Sequence, residues 1–373
     1  MSKIKTLQLG KFYHPVVGGM EDHLYHLCNE LKGRCEIQVV VANTRTKTEV
    51  SRVNSIKIIR VANLVEVFSN SICPTMPFWL RKFHSDIIHI HLPNPTGHFS
   101  YLLSRPRGKL IVMWHSDIIR QKFFLKIYKP FLLSLLKRAE KIIASSPNYI
   151  EHSPFLSKFK DKCIVIPLGI DLKRFAFTEE VKGKVSQLRK RFGERIILFV
   201  GRLNYYKGTE YLIKAMEDVE ANLLIIGTGG LERGLKELAQ NSPKKDRICF
   251  LGEVSQEDKV SYYHACDVFV LPSVERSEAF GIVQLEAMAC GKPVVSTDLN
   301  TGVPWVNQHG VTGVVVPPRD QKALAEAINT LLANPELRKR YGKKGGERVE
   351  ENFSKEMVAA RVINLYYEIL GKG

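Results

Sequence analysis

A chain of 373 residues, 45% hydrophobic and 25% charged, is long enough for two cored domains and has the composition of a folded globular protein, not of a disordered or fibrous one. No stretch has the apolar length of a bilayer span, and seven cysteines without a C-x-x-C pair argue against a disulfide framework or a zinc site. The net charge of +17 is uneven: residues 1–177 hold 27 Lys and Arg against 12 Asp and Glu, the rest 28 against 26, which suggests an anionic partner for the first half, nucleic acid or an acidic membrane leaflet, unless the charge serves solubility alone.

The start, Met1-Ser2-Lys3-Ile4-Lys5, lacks the apolar core of a secretory signal, so a cytoplasmic protein is expected. Strand-like runs follow: "TLQLG", "IQVVVAN", "DIIHIH", "KLIVMWH", "KIIASS" and "CIVIP", then "RIILFVG", "NLLIIG", "RICFLG", "DVFVLP", "KPVVST" and "TGVVVP". They read as continuously apolar, as parallel strands covered on both faces do. Helical patterns intervene, among them 207–218, 231–241, 255–265 and 320–333. The alternation predicts two doubly wound parallel-sheet α/β domains, 1–177 and 178–354, joined in the charged stretch 176–190. "FSKEMVAARVINLYYEILGKG" reads as an amphipathic terminal helix.

In open α/β sheets ligands bind beyond the carboxyl ends of the strands, and five such places carry chemistry-bearing residues. Gly18 and Gly19, between a strand and a helix, would let backbone N–H groups approach a phosphate or sugar, though a plain tight turn needs the same residues. His115 follows the strand in "VMWHSD" and either caps the sheet or points a polar group into a binding site. In "LFVGRLNYYKG", Arg202 supplies a planar fork and Lys207 a point charge, a diphosphate clamp if they are not simply solvated.

The fourth place is "SEAFGIVQLEAMACGKPVV", with Glu278 and Glu286 on either side of an apolar run. A helix starting near Gly281 would offer the N–H groups of Phe280, Gly281 and Ile282 to an anion. Glu286 would then accept the paired hydroxyls of a ribose, and Glu278 those of a sugar on the other side of the diphosphate. The fifth, "NTGVPWVNQHGVTGVVVPPRD", has Gly302, Gly310 and Gly313 and no chemistry assignable from spacing.

Together, "GGMEDHLYHL", "MWHSD", "ASS", "IPLGIDLKRF", "VGRLNYYKG", "SVERSEAFGIVQLEAMACGKPVVST" and "GVTGVVVPPRD", in that order, resemble family 4 of the retaining glycosyltransferases (group 1 glycosyltransferases), over essentially the whole chain. The resemblance implies a GT-B fold: two Rossmann-like domains facing a cleft, the first for the acceptor and the second for a nucleotide sugar. The final helix, about 355–371, would cross back onto the first domain. It also implies roles: Arg202 and Lys207 at the diphosphate, Glu286 at the ribose, Glu278 near the donor sugar, His115 at that sugar in the reaction centre, and Gly18 and Gly19 over the donor phosphates. Preorganised cations and helix-end N–H groups stabilise a departing diphosphate, so no metal or other cofactor is expected. "TGVPWVN" is similar to bacterial O-antigen and polysaccharide mannosyltransferases, which makes GDP-mannose the first expectation for the donor and a UDP-sugar the second.

The basic half then has a candidate partner. Residues 118–138 carry Arg120, Lys122, Lys126, Lys129, Lys137 and Arg138 among aromatic and aliphatic side chains, with no acid. Such a helix can lie on the inner face of an anionic membrane, where a lipid-linked glycan acceptor would sit, or pack in a core with its basic side solvated. Pro130 predicts a kink or break in it. Competing readings are a nucleotide-sugar 2-epimerase, a non-catalytic sugar-nucleotide binder, and a nucleic-acid-binding protein. No recognised nucleic-acid module accompanies the charge, so nucleic acid is not expected as a partner.

Overall fold

The computed structural model describes residues 3–16, 18–67, 70–117 and 122–372, the side chains of 122–124 excepted. Two compact units divide the chain: Met1–Gly169 with Lys355–Gly373, and Ile170–Ser354. The first contains, in order, β1 (Ile4–Leu9), α1 (Gly19–Leu31), β2 (Cys35–Ala42), β3 (Glu49–Val53), β4 (Ile56–Val61), β5 (Glu66–Val67), β6 (Asn70–Ser71), α2 (Met76–Arg81), β7 (His84–Leu92), α3 (Pro95–Ser104), β8 (Arg107–Trp114), α4 (Lys122–Arg138), β9 (Lys141–Ala144), α5 (Pro147–His152) and β10 (Cys163–Val165). The second contains α6 (Glu179–Phe192), β11 (Ile196–Val200), α7 (Thr209–Ala215), β12 (Asn222–Ile226), α8 (Glu232–Gln240), β13 (Ile248–Gly252), α9 (Gln256–Ala265), β14 (Val268–Leu271), α10 (Ile282–Ala289), β15 (Val294–Thr297), α11 (Val303–Val306), β16 (Gly313–Val316), α12 (Gln321–Ala333) and α13 (Pro335–Asn352). α14 (Lys355–Leu370) returns to the first unit and packs on α1, with Lys355 Nζ 3.3 Å from Glu30 Oε1.

The first unit's main sheet has the strand order β10-β9-β8-β7-β1-β2-β4-β3. Its pairs are parallel except β3 with β4, an antiparallel edge that the alternation pattern did not anticipate. The second unit's sheet, β13-β12-β11-β14-β15-β16, is parallel throughout. Among the parallel strands of each sheet the order reverses at one place, between β1 and β7 and between β11 and β14. Those are the topological switch points, where strand-end loops splay apart and leave room for a ligand.

Apolar strands and amphipathic helices account for the cores. β11, "IILFV", is buried at every position, and Phe199 and Ile225 of the sheet share one core cluster with Leu212 and Met216 and with Leu324, Ile328 and Leu331 of α12. Each such side chain contributes about 1.5–3 kcal/mol by leaving water. Helix starts follow the sequence: Thr178, Ser255, Asp320 and Asn334 each accept the N–H three residues on.

Three expectations need correction. The unit boundary lies at 169/170, not 177/178, because Ile170 N–H donates to Phe353 O and Phe175 packs against Tyr263 of the second unit. The charged stretch taken for a junction is α6, held to α9 by Lys184 Nζ to Asp258 Oδ1 at 2.9 Å. Pro130 does not break its helix: it lies inside α4, on the exposed side, where a missing N–H is tolerated. All seven cysteines are free thiols.

Candidate functional site

The second unit builds its site where the loops after β11 and β14 meet. The chain after β11 makes a single 3-10 turn, Tyr205–Lys207, and then Gly208, whose φ of 64° is left-handed. A Cβ at Gly208 would fall 2.1 Å from the carbonyl oxygen of Pro272, so only glycine allows the two loops to approach. Across that contact Val274 N–H donates to Tyr206 O at 2.8 Å. The approach brings Lys207 Nζ to 2.6 Å from Glu278 Oε2, with the two residues only 7% and 8% exposed.

Ser273 Oγ–H donates to the same carboxylate oxygen at 3.0 Å. Burial by itself pulls the lysine pKa down, but the Glu278 carboxylate and Tyr206 outweigh it, so the net shift is upward and the ammonium stays charged. Arg202 remains exposed, near enough to Lys207 to oppose its charge. Spacing treated Lys207 and Glu278 as separate ligands; in the fold they are direct partners.

Past Glu278 the loop ends at Gly281, whose φ of 73° turns the chain into α10. Gly281 provides no side-chain cap, and among the described residues the N–H groups of Phe280, Gly281 and Ile282 have no protein acceptor. The Phe280 ring itself faces the core, against Trp305 and Phe353. Glu286, one turn into α10, accepts from Tyr263 Oη–H at 2.6 Å. Burial and the neighbouring carboxylate push the Tyr263 pKa well up, so the phenol remains a donor and holds the carboxylate in place.

The fifth stretch is a brace. Gly302 N–H donates to Ala279 O at 2.8 Å, and the buried Gln284 Nε2 donates to Phe280 O at 2.8 Å and Val303 O at 3.3 Å. Asn307 Nδ2 ties β15 to β16 through Val294 O and Val314 O. Sequence reasoning also missed the loop after β12, "GTGG", which runs beside the Arg202 loop: Leu203 N–H donates to Thr228 O at 2.9 Å. Its glycines after a strand were the available signal.

The first unit's site lies at its own switch point. His115 follows β8, its N–H donating to Leu92 O, and its Nε2 is 3.0 Å from His91 Nδ1 on β7. His91 Nε2 is 3.2 Å from Gln8 Oε1 on β1, and Gln8 Nε2 donates to Tyr366 Oη at 3.0 Å. Tyr366, on α14, also bonds His89 Nδ1 at 2.7 Å. His23, on α1 one turn past Gly19, meets the His115 ring edge-on at 5.3 Å, so the glycine loop and His115 belong to one locality.

Gly18 is extended, with φ 177°, and a Cβ there would meet only the flexible end of Glu21, so the folded chain by itself does not require glycine. Burial holds His23 down to about 4 and His89 to about 3, and holds His91 and His115 well below the ordinary histidine value. "TLQLG" and "DIIHIH" are therefore not continuously apolar strands. Gln8, His89 and His91 are a fully buried polar seam on one face, legible as polar residues two apart in strand runs.

On α4, Tyr128, Leu132, Leu135 and Leu136 enter the core, and Tyr128 Oη bonds His98 Nδ1 at 2.7 Å. Lys126 and Lys129 are exposed beside Ile127 and Phe131, 60% and 45% exposed. Arg120 and the side chain of Lys122 lie outside the described residues. No helix among the described residues is long and apolar enough to cross a membrane.

Two Rossmann-type sheets, each in its own unit, a terminal helix that returns to the first unit and an E-x7-E loop at a switch point define a class, and comparison with known proteins agrees. The family model described as Glycosyl transferases group 1 matches residues 183–348, and that of Glycosyltransferase Family 4 matches residues 17–174. O-antigen chain mannosyltransferase C of Escherichia coli is 33% identical over 98% of this chain and 99% of its own. A D-rhamnosyltransferase of Pseudomonas aeruginosa is 34% identical over 72% of this chain and 70% of its own. Among solved structures, the sucrose-phosphate synthase of Thermosynechococcus elongatus superposes with a TM-score of 0.81 at 25% identity, covering 99% of this chain and 100% of its own.

The chain belongs to the group 1 glycosyltransferases of family 4, with the GT-B fold. It is a glycosyltransferase.

Proposed function

We propose that this enzyme transfers a mannosyl residue from GDP-mannose, with retention at the anomeric carbon, to a lipid-linked glycan of a cell-surface polysaccharide. The observation that carries the reading is the second unit's cluster: exposed Arg202, buried Lys207 on Glu278, and the unpartnered N–H groups before α10, all at one switch point. The full-length similarity to a mannosyltransferase of O-antigen chains supports the choice of sugar and of acceptor class.

As the bond between the sugar's C1 and the diphosphate oxygen breaks, negative charge builds on the leaving group. Arg202, Lys207 and the N–H groups of Phe280, Gly281 and Ile282 are assigned to that charge, which is why no metal is invoked. Glu286, pre-set by Tyr263, is assigned to the ribose hydroxyls. Glu278 Oε2 is already held by an ammonium and a hydroxyl, which weakens it as a nucleophile and favours a role as sugar ligand. The acceptor hydroxyl then bonds C1 on the face the diphosphate leaves, and its proton goes to a leaving phosphate oxygen. His115 is assigned to the donor sugar, and Gly18 and Gly19 to the donor phosphates. Exposed Lys126 and Lys129 beside Ile127 and Phe131 support a peripheral seat on an anionic membrane.

The test is thermal melting against GDP, UDP, ADP and dTDP, each with and without its sugar, since a ligand of the native state alone raises the midpoint by mass action. A selective shift by GDP and GDP-mannose is expected. A selective shift by UDP species would replace the donor and keep the rest. No shift with any nucleotide would remove the donor-site assignment.

A further inference from the structure

We propose that His91, Gln8 and Tyr366 are positioning residues that hold His115 in one tautomer, with Nε2 protonated and Nδ1 presented as a bare acceptor. The use of that acceptor rests on the reading of His115 given above; the relay itself does not.

The argument is an accounting of donors. Tyr366 Oη lies between His89 Nδ1 at 2.7 Å and Gln8 Nε2 at 3.0 Å. An amide nitrogen can only donate, so Gln8 gives its N–H to Tyr366, and the phenol gives its own hydrogen to His89. The other end of the same amide, Oε1, can only accept, and it faces His91 Nε2 at 3.2 Å. His91 Nε2 therefore carries the hydrogen. A neutral imidazole has one N–H, so His91 Nδ1 is the acceptor, and the hydrogen in the 3.0 Å contact comes from His115 Nε2. His115 Nδ1 is left bare, with no hydrogen-bond partner among the described residues.

Every member is placed by the fold. Gln8 and His89 are register partners on β1 and β7, so Gln8, His89 and His91 share a face at the switch point. Their rings stack, His89 on His91 at 4.8 Å and His91 on His115 at 5.3 Å, which fixes ring planes as well as protons. The terminal helix supplies Tyr366, so the last sixteen-residue element of the chain reaches the strand-end histidine through three hydrogen bonds, with His89 held on the same phenol by a fourth. Neutrality suits the chemistry: a transferring sugar becomes electron-poor, and a bare ring nitrogen accepts a sugar hydroxyl without adding a positive charge beside it.

The relay is read directly by selective 15N-histidine labelling and long-range proton–nitrogen correlation on the full chain, with the His115 signal assigned by its loss in His115→Asn. Wild type at pH 7 should show His115 with a protonated Nε2 and a bare Nδ1. His91→Phe keeps a stacking ring and removes both hydrogen bonds. It should leave His115 in mixed tautomers and lower kcat about 10–100-fold, the usual effect of removing an outer partner, with donor KM changed much less. Gln8→Leu and Tyr366→Phe should do the same more weakly, and they keep the question open to measurement if His91→Phe fails to fold.

A bare Nε2 on wild-type His115, or a tautomer unmoved in the folded variants, would overturn the proposal. The tautomer needs no substrate, so a wild-type enzyme with the expected signature but no turnover of any nucleotide sugar would sink the functional reading and leave the relay standing.

Discussion

Lys207 Nζ lies 2.6 Å from Glu278 Oε2, in a contact made only because Gly208 lets the loop after β11 touch the loop after β14. Two residues named as separate ligands thus share one buried pair. Removing one partner of such a pair strands a charge, at a cost of about 3–5 kcal/mol. Lys207→Met should therefore lose stability as well as donor affinity. Lys207→Met with Glu278→Leu should regain most of the stability and none of the activity. Urea melts of the three proteins check this; equal stability of the single and double variants would mean the pair is solvated.

Arg202 gives the contrasting case. It is exposed, so Arg202→Ala should change stability by less than about 0.5 kcal/mol. A charge-assisted bond to a phosphate is worth about 1.5–3 kcal/mol, so donor KM should rise about 10–100-fold. Steady-state kinetics with the donor found by melting decide it, and an unchanged KM would take Arg202 out of the diphosphate site.

Tyr263→Phe removes the hydroxyl that holds Glu286 at 2.6 Å and little else. The carboxylate then loses the fixed orientation on which its proposed role as ribose ligand rests. Affinity for the free nucleoside diphosphate should fall by about 1–3 kcal/mol, as for other buried hydrogen bonds left half-made. Isothermal titration with the nucleotide alone reads this step without the acceptor, and wild-type affinity would mean Glu286 needs no support.

Burial of neutral histidines makes the first unit acid-sensitive. His23 and His89 titrate at about 4 and about 3 in the fold but at about 6.5 when exposed on unfolding. Above pH 6.5 both states are neutral and these groups contribute no slope. Below it the unfolded chain binds the protons first, so stability should fall with pH by roughly 1.4 kcal/mol per unit for each such histidine, down to about pH 4. His91 and His115, also held down by burial, add in the same direction. Urea midpoints from pH 7.5 to 5 test it, with a shallower slope expected for His89→Phe; a flat wild-type profile would contradict the neutral cluster.

Lys126 and Lys129 stand exposed beside apolar Ile127 and Phe131 on α4. At about 1 kcal/mol for each basic group near an anionic surface, Lys126→Gln with Lys129→Gln should weaken binding to phosphatidylglycerol vesicles about thirtyfold. Co-sedimentation at low and high salt measures it. Equal binding of the wild type to neutral phosphatidylcholine vesicles would remove the electrostatic seat.

Local pattern was enough for much of this protein. Apolar runs alternating with 3.6-residue periodicity announced two α/β units, and the terminal amphipathic segment became α14 at Lys355–Leu370. Caps such as Ser255 and Asp320 act within three residues and are legible without a fold. The glutamates flanking Gly281 were visible for the same reason, since a strand, a turn and a helix start are short-range features.

Tertiary structure decided the rest, because burial and adjacency are long-range. Nothing local says that β14 lies beside β11, and that neighbourhood alone joins Lys207 to Glu278. Gln8, His89 and His91 looked like minor interruptions in apolar strands until the register of β1 on β7 aligned them and α14 brought Tyr366 to meet them. The unit boundary moved to 169/170 because Ile170 pairs with residues at the far end of the second unit. Periodicity reports which way a side chain faces; only packing determines what it faces.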